Sequence, residues 1–588
     1  MRLGKTVRNL IRGSVRDYVC AALYSLGLSA ALIIGRSMER VEYVDFGSVG
    51  MWLGILALAV VFTPITVMLF KLLEKFATKM RSEADDEKPA LGSRGGSLTT
   101  GSDESRGDRT GSESGSDSAD VKAKNTFGFL RVWAIIFVLW IPTFLALYPG
   151  AFVYDAQDEY IEVISRAFTM HHPLLHVLLL GGIIHAAEYV GLHANVGIAV
   201  YVLLQMTAMS AILSYSVITL RKWGARKGYC FALMLVYGLF PIFPMYAVCT
   251  SKDGMFSAFF LVVGLQLITY LRDREEFFSA RGMIFFVGSS TLMMLLRNNG
   301  MYAYVVAIVM ILILERKKIM GDGGRLIILM ILSVILFFGC NFCLKTITHA
   351  TDDEHQEMLT VPIQQLARVY ALDEQEYTAE QKATLIRYIP EEYLDTYNTR
   401  CSDIVKSGFD NEAYEADSTG FITLWLTKGI ENPLTYVNAW LGTSYGYYYP
   451  YALNNVYKGN EMFTFTYTES SYFGFETEPP GYRDSKFPLY ERFYRALSLS
   501  RFQQRVPFIR LLFSPGFMWW VFALVIMNVL RRRNSKARRL LIALVPTLLL
   551  WLTVLLGPTT LVRYVLILWL YIPVALVMSV IPKKEEIK

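Results

Sequence analysis

LLHVLLLGGIIHAAEYV, residues 174–190, decides how the whole chain is threaded. The stretch is apolar, but it is short for a span. It carries His176, His185 and Glu188, which suit an interface better than a lipid-facing helix. The basic loops around it arbitrate, because Lys and Arg in short loops mark the cytoplasmic side. They are RKWGARKG (221–228), RDREEFFSAR (272–281), ERKK (315–318) and RRRNSKARR (531–539), with the N-terminus, Lys71, Lys75, Lys79, Lys122, Lys124 and the C-terminal lysines. If 174–190 crosses the membrane, every later basic loop falls outside. If it lies at the surface, every one falls inside. The stretch therefore reads as a juxtamembrane or re-entrant helix, with both termini cytoplasmic.

Twelve further apolar segments surround it, near 18–36, 49–70, 128–147, 195–219, 228–247, 254–271, 282–296, 300–315, 323–344, 515–531, 540–556 and 562–581. The chain has 588 residues, 53% hydrophobic and 18% charged, with a mean hydropathy of +0.35. A soluble globular chain has about 45–50% apolar and about 25% charged residues, so that class is excluded. The apolar runs are continuous, so the spans are helices, not the alternating strands of a barrel. The expected fold is an all-α polytopic membrane protein, a bundle of about 12 transmembrane helices. The basic start MRLGKTVRNLIRGSVRDYVC shows no small-residue cleavage site and reads as a cytoplasmic start before a retained helix. Six cysteines are scattered apart from Cys340 and Cys343, so no disulfide framework or zinc pattern is readable. The net charge is +6, and its concentration in loops is what informs.

The organisation follows from composition. Residues 1–79 form an N-terminal two-helix transmembrane hairpin. Residues 80–126 are rich in Ser, Gly, Asp and Glu and read as a disordered cytoplasmic linker separating the hairpin from the main body. Residues 127–344 form the transmembrane core, with an outer loop at 148–173. Residues 345–510 make an extracytoplasmic, α-rich (mixed) domain, and 511–588 carry three C-terminal spans. Within the outer domain EEYLDTYN and AEQKATLIRYI read as helical, while 441–453 and 463–475 are rich in Tyr and Phe. Aromatics of that kind pack cores, anchor at interfaces or stack on sugars.

This threading gathers the chemically capable residues on the outer side. In YPGAFVYDAQDEY (148–160), Asp155, Asp158, Glu159 and then Glu162 recur every three or four residues and share one helix face. Mutual repulsion is expected to raise their pKa values. They suit a general base or a hard-metal site, against the plain alternative of a solvated face. In MHHPLLH (170–176), His172 and His176 are four apart and can meet on one turn, as in a metal site. Interfacial hydrogen bonding is the plainer reading. Three cations sit at outer helix ends: Lys252 beside Asp253, Arg297 beside Asn298 and Asn299, and Arg563 after Gly557-Pro558. Such cations bind phosphate or diphosphate, or else snorkel to the interface, a reading that fits Arg563 best. Carboxylates facing phosphate-binding cations suit group transfer from a lipid phosphate. No Walker loop or nucleotide fingerprint is present.

These motifs, in this order, resemble the GT-C glycosyltransferase superfamily. The likeness is closer to a bacterial family of GT-C-like membrane proteins of unknown function, through YPGAFVYD (148–155), HHP (171–173), SKDGMF (251–256), LLRNNG (295–300), VPIQQLARVY (361–370) and GPTTLVRY (557–564). The resemblance covers about 128–581. It implies a GT-C-like bundle and inverting transfer of a sugar from a polyprenyl-phosphate donor to a glycan, lipid or protein acceptor. It implies a site on the outer face of a bacterial cell membrane. Asp155 matches the catalytic base, with Asp158 and Glu159 as alternates, because the paired acidic motif is offset. Lys252, Arg297 and Arg563 would contact the donor phosphate. His171, His172, His176, Asp253, Asn298 and Asn299 would contact substrate or a divalent metal, a cofactor the sequence leaves open. No nucleic-acid partner is expected. The competing expectations are a flippase or transporter of lipid-linked saccharides and a polymerase or ligase. A flippase should show repeated halves, and no internal repeat is evident.

Overall fold

The computed structural model describes residues 13–81, 128–352, 354–453, 480–499, 502–532 and 538–579. The expected linker lies outside them, except that residues 80–81 complete a helix; the aromatic stretch 463–475 also lies outside. The described residues are all-α. Their only bridges are isolated ones, such as Ala151 with Cys249 and Cys401 with Thr559.

The hairpin is α1 (Val15–Val41) and α2 (Val49–Arg81). The core follows as α3 (Phe129–Ala146), α4 (Tyr154–Ser165), α5 (Leu174–Tyr189), α6 (Ala194–Lys222), α7 (Lys227–Leu239), α8 (Ile242–Val248), α9 (Lys252–Arg272), α10 (Ala280–Leu296), α11 (Asn298–Glu315) and α12 (Asp322–Thr348). The longer helices of the next region are α13 (Thr360–Leu372), α14 (Ala379–Tyr388), α15 (Ser418–Glu431), α16 (Pro433–Ser444) and α17 (Pro488–Leu499). The chain closes with α18 (Pro515–Leu530), α19 (Leu541–Val554) and α20 (Ile567–Met578). Among the described residues seven helices are long and apolar enough to cross a membrane, or eight if α7 and α8, bent by 50°, form one span. The other apolar helices, α5, α10, α18, α19 and Val562–Met578, are shorter than that criterion. The protein is thus an integral multi-pass membrane protein by the character of its helices.

Ion pairs sort the loops into two poles. At one pole Arg16 donates to the Leu530 carbonyl (2.6 Å) and Arg531 bridges Asp17 (2.8 Å) and Glu74. There too Lys222 meets Glu276, Arg274 meets Asp322, and Arg539 grips Glu315. The basic loops that positive-inside counting groups together are therefore physically together. At the opposite pole lie the ends of α3 and α8, the start of α9 and the segment before α20. α5 lies across the start of α6 at this second pole. His176 in its first turn reaches Tyr201, and Ile184 and Ala187 towards its other end pack on Gly197. The first turn of α6 is held there by Asn195, which exchanges hydrogen bonds with the Tyr482 backbone (2.9 and 3.0 Å).

α9 is the axis of the bundle, with 83% of its apolar window buried. Its start is fixed locally: the Ser251 side chain accepts from the Asp253 N–H, which caps the helix. The region after α12 has its own core, in which Phe409, Tyr414 and Phe421 pack edge to face under Tyr388. EEYLDTYN yields only one helical turn, Glu391–Leu394, because Asp395–Asn398 turn back. AEQKATLIRYI is helical as expected, opened by a capping box of Thr378 and Gln381.

The described part of the hairpin, from residue 13, packs against the body. Buried Arg400 pairs with Glu39 (3.1 Å), Tyr445 donates to Glu39 (2.9 Å), and Asn438 bonds both the N–H and the carbonyl of Val44. Met38 and Val44 share a small core with Leu441, Tyr445 and Tyr449. Such pairing is tertiary, and composition contains no trace of it.

Candidate functional site

The site forms where two irregular chain crossings meet. After α3 the chain turns through Gly150, whose φ of 155° only glycine adopts freely. Ala151 then takes the Val248 carbonyl (2.9 Å), and its own carbonyl receives the Thr250 N–H (3.1 Å). That short parallel bridge lays the start of α4 beside the start of α9. It brings Asp155 and Glu159 against Lys252.

Lys252 Nζ stands 3.6 Å from Asp155 Oδ2 and 3.6 Å from Glu159 Oε1, and donates to His172 Nδ1 at 3.0 Å. Arg563 Nη1 donates to the same Asp155 oxygen at 3.1 Å, and its Nε lies 3.8 Å from Asp253 Oδ2. Arg297 forms an ion pair with Asp253. The Tyr564 ring faces both guanidinium groups, at 4.2 Å from Arg297 and 5.0 Å from Arg563. All three cations named from sequence therefore converge, although they come from segments 45 to 311 residues apart in numbering. Arg563 does not snorkel, as its position in the sequence suggested. It is buried, because Asp155 and Asp253 satisfy it inside.

The four carboxylates of α4 divide, against the expectation of a mutually repelling face. Burial would push Asp155 up, but Arg563 and Lys252 overrule it and hold its carboxyl far below the usual range. Burial acts likewise on Glu159, and His176 and Lys252 hold it down. Asp158 faces solvent and is raised by desolvation and by the charge of Asp155. Glu162 is raised by burial and accepts from the Thr169 N–H and hydroxyl, both at 3.1 Å, which closes the loop after α4.

His172 and His176 do not share a helix turn, because α5 starts only at Leu174. Burial and the Lys252 charge push His172 down to about 3, so it stays neutral and accepts from Lys252. His171 is exposed and packs edge-on against His172. His176 Nδ1 lies 2.5 Å from Glu159 Oε2, and its Nε2 lies 2.6 Å from the Tyr201 oxygen. The direction of this chain can be read from its far end. Gln205 Nε2 donates to the carbonyls of Tyr246, Ala247 and Cys249, so Gln205 Oε1 faces Tyr201 and must accept its proton (2.9 Å). The Tyr201 oxygen then accepts, and His176 Nε2 carries a hydrogen. His176 Nδ1 faces Glu159 on its other side. The site therefore sets three cations, Lys252, Arg297 and Arg563, against the carboxylates of Asp155, Glu159 and Asp253, with the exposed Asp158 beside them.

Asn298 and Asn299 open α11 beside Arg297 and are half-buried. Among the described residues no three His, Cys, Asp or Glu side chains are grouped to hold a metal ion. Lys252 and Arg563 occupy the positions between the carboxylates where a cation would bind, so the donor set does not fit a divalent metal. Sequence reading missed Tyr201, Gln205, Tyr564 and Tyr447. Tyr447 is buried, donates to the Thr559 carbonyl (3.0 Å) and accepts from the Leu561 N–H (3.1 Å), which props the segment that carries Arg563. Tyr564 had a signal in its place in GPTTLVRY, and Tyr447 in the Tyr-rich stretch 441–453.

Residues 164–588 match the model of a family of unknown function, DUF6020, and the chain belongs to that family. The matched span includes Lys252, Arg297 and Arg563 and begins after Asp155 and Glu159. No curated protein and no solved structure matches the chain.

Proposed function

We propose, for this member of the family, a membrane glycosyltransferase of GT-C type. It moves a sugar from a polyprenyl-phosphate-linked donor to a glycan, lipid or protein acceptor on the outer face of a bacterial membrane. In this reading the short apolar helices α10, α18, α19 and α20 also cross, giving about 12 spans with both termini cytoplasmic. α5 stays at the outer surface in this reading, since it lies across the first two turns of α6 at that pole.

The observation that supports this reading best is the convergence of Lys252, Arg297 and Arg563 around Asp155 and Asp253. A polyprenyl-phosphate sugar is a phosphodiester with one negative charge, a group that clustered Arg and Lys side chains bind. Its phosphate would compete with Asp155 for Arg563 and Lys252. Before it binds, the two cations hold Asp155 ionised and weakly basic. Sharing them with the phosphate restores basicity to Asp155 as the donor arrives. The acceptor hydroxyl then gives its proton to Asp155 and its oxygen bonds to the anomeric carbon. The bond from that carbon to the phosphate oxygen breaks, and polyprenyl phosphate leaves with one more negative charge. Arg563, Arg297 and Lys252 are placed to stabilise that charge, an interaction stronger in the transition state than in the ground state.

The test is release of polyprenyl phosphate from labelled polyprenyl-phosphate sugars by reconstituted protein. Wild type should turn over, Asp155→Asn should bind donor without turnover, and Arg297→Ala should lose donor affinity. Transport of an intact lipid-linked saccharide between leaflets, unaffected by Asp155→Asn, would replace the transferase with a flippase.

A further inference from the structure

The segment that returns the chain from the outer domain to α18 has a character of its own. Between 480 and 512 the sequence holds seven Lys and Arg residues and two acidic ones, whereas 351–453 holds 17 acidic and six basic. Charge is thus segregated within one pole of the molecule.

The apolar side chains of this segment are also divided. α17 turns Tyr494 and Leu497 inward, and the Tyr494 hydroxyl meets Thr143 of α3 at 2.9 Å. Lys486 donates its N–H to the Leu145 carbonyl (2.8 Å), which fixes the segment at the end of α3. On the other flank Leu489 is 73% exposed, and Phe487 and Phe493 are exposed as well. With Tyr490 they line an apolar groove of 410 Å³ against Leu239 and Pro241, at the bend between α7 and α8. Tyr490 and Phe493 stack at 5.8 Å and 8° along it. Beyond a helical turn at Phe502–Arg505, the short helix Pro507–Leu512 presents Phe508 at 82% exposure. Exposed Arg492 and Arg505 are interleaved with these apolar groups. Leu239 of α7, which lines the same groove, is exposed, and so is Val236 one turn before it.

We propose that residues 486–499 and 502–512 form an interfacial foot that binds anionic phospholipids of the leaflet at this pole. Leu489, Phe493 and Phe508 enter the acyl boundary, and Arg492 and Arg505 hold headgroup phosphates. Three observations support this occupant together: a basic segment beside an acidic domain, large apolar groups exposed outside any span, and an apolar groove shared with the exposed end of the apolar helix α7. An amphipathic helix with Arg on one flank and Leu and Phe on the other takes this position in the plane of a bilayer interface. Anionic headgroups attract such cations within a Debye length, while the acidic outer domain is kept off the surface. The foot holds α17 against α3, whose last turn leads into the loop carrying Asp155. The inference stands whatever reaction the site performs.

The test is hydrogen exchange by mass spectrometry on the full-length protein in nanodiscs of phosphatidylcholine alone and of phosphatidylcholine with phosphatidylglycerol. Amides of 486–499 and 502–512 should exchange about tenfold more slowly with the anionic lipid, and 0.5 M salt should erase most of that difference. Peptides of 360–430 should not respond. In the Arg492→Glu/Arg505→Glu variant the two lipid compositions should give the same exchange. Equal exchange of wild type in the two compositions would overturn the proposal without recourse to any variant. So would a lipid-dependent difference that survives charge reversal.

Discussion

The two poles of the bundle both bury ion pairs, and they use them differently. At the basic pole, Glu315 is buried and takes two hydrogen bonds from Arg539 (2.8 and 2.6 Å) and one from Tyr270 (2.8 Å). One anion meets one cation in a closed, bidentate arrangement. At the opposite pole Asp155 is shared by two cations, Lys252 by two carboxylates and a histidine, and Asp253 by two arginines. A satisfied pair holds helices together. An over-shared set can exchange one partner for an incoming anion, as the proposed reading requires. The contrast teaches that burial of charge alone does not mark a site; the sharing of each buried group among several partners does.

The largest effect that would break this comparison is on turnover. Asp155→Asn should lower polyprenyl phosphate release by about 100- to 10,000-fold, the range for loss of a general base. Donor affinity should hold or tighten, because Arg563 and Lys252 lose a competitor. A variant that binds donor more weakly would put Asp155 in a purely structural role. The converse holds at the basic pole. Glu315→Gln should cost about 3 kcal/mol of stability through loss of the buried pair. Turnover of the protein that remains folded should be unchanged. A kinetic defect there would erase the distinction between the poles.

Arg297→Lys sharpens the comparison at an intermediate scale. Lysine keeps the charge but loses the guanidinium plane that lies over Tyr564. KM for donor should rise about tenfold, more than kcat falls. Acid offers a smaller, graded test. His172 titrates near 3 when folded and near 6.5 when unfolded. The unfolded chain therefore binds the extra proton in between, and stability should fall as pH drops from about 6.5 towards 3. Asp155, held below its unfolded value of about 3.9, adds a second loss below that pH. The His172→Gln variant should flatten the slope between pH 6 and 4 in a denaturation series, and an unchanged slope would assign it to other groups. The smallest effect is expected for Tyr201→Phe. It removes the donor to Gln205 and the acceptor for His176, at a cost of about 1 kcal/mol and with a shift in the acid limb of the rate profile.

Much of this arrangement was legible in the residues and some of it could not be. Continuous apolar runs imposed helices, because lipid leaves backbone groups no other partner. The grouping of basic loops was readable because it depends on charge count alone, and Arg531, Arg539 and Lys222 do lie together. The convergence of Lys252, Arg297 and Arg563 followed from placing their loops on one side. The behaviour of α4 did not follow. Helical spacing puts Asp155, Asp158, Glu159 and Glu162 on one face, but spacing does not reveal that cations from α9 and from the segment before α20 meet only two of them. The histidines failed as a pair for a local reason, since Pro173 delays the helix start until Leu174.

Periodicity, apolar length and loop charge are properties of neighbouring residues, so sequence alone determined an all-α membrane chain with its polar chemistry gathered at one pole. Partner choice depends on distances between residues far apart in the chain. Only the tertiary structure decided that Arg563 is buried on Asp155, that Glu39 of the hairpin is clamped by Arg400, and that Gln205 orients the proton on His176. In each case a buried charge or dipole must find its complement wherever the packing brings one.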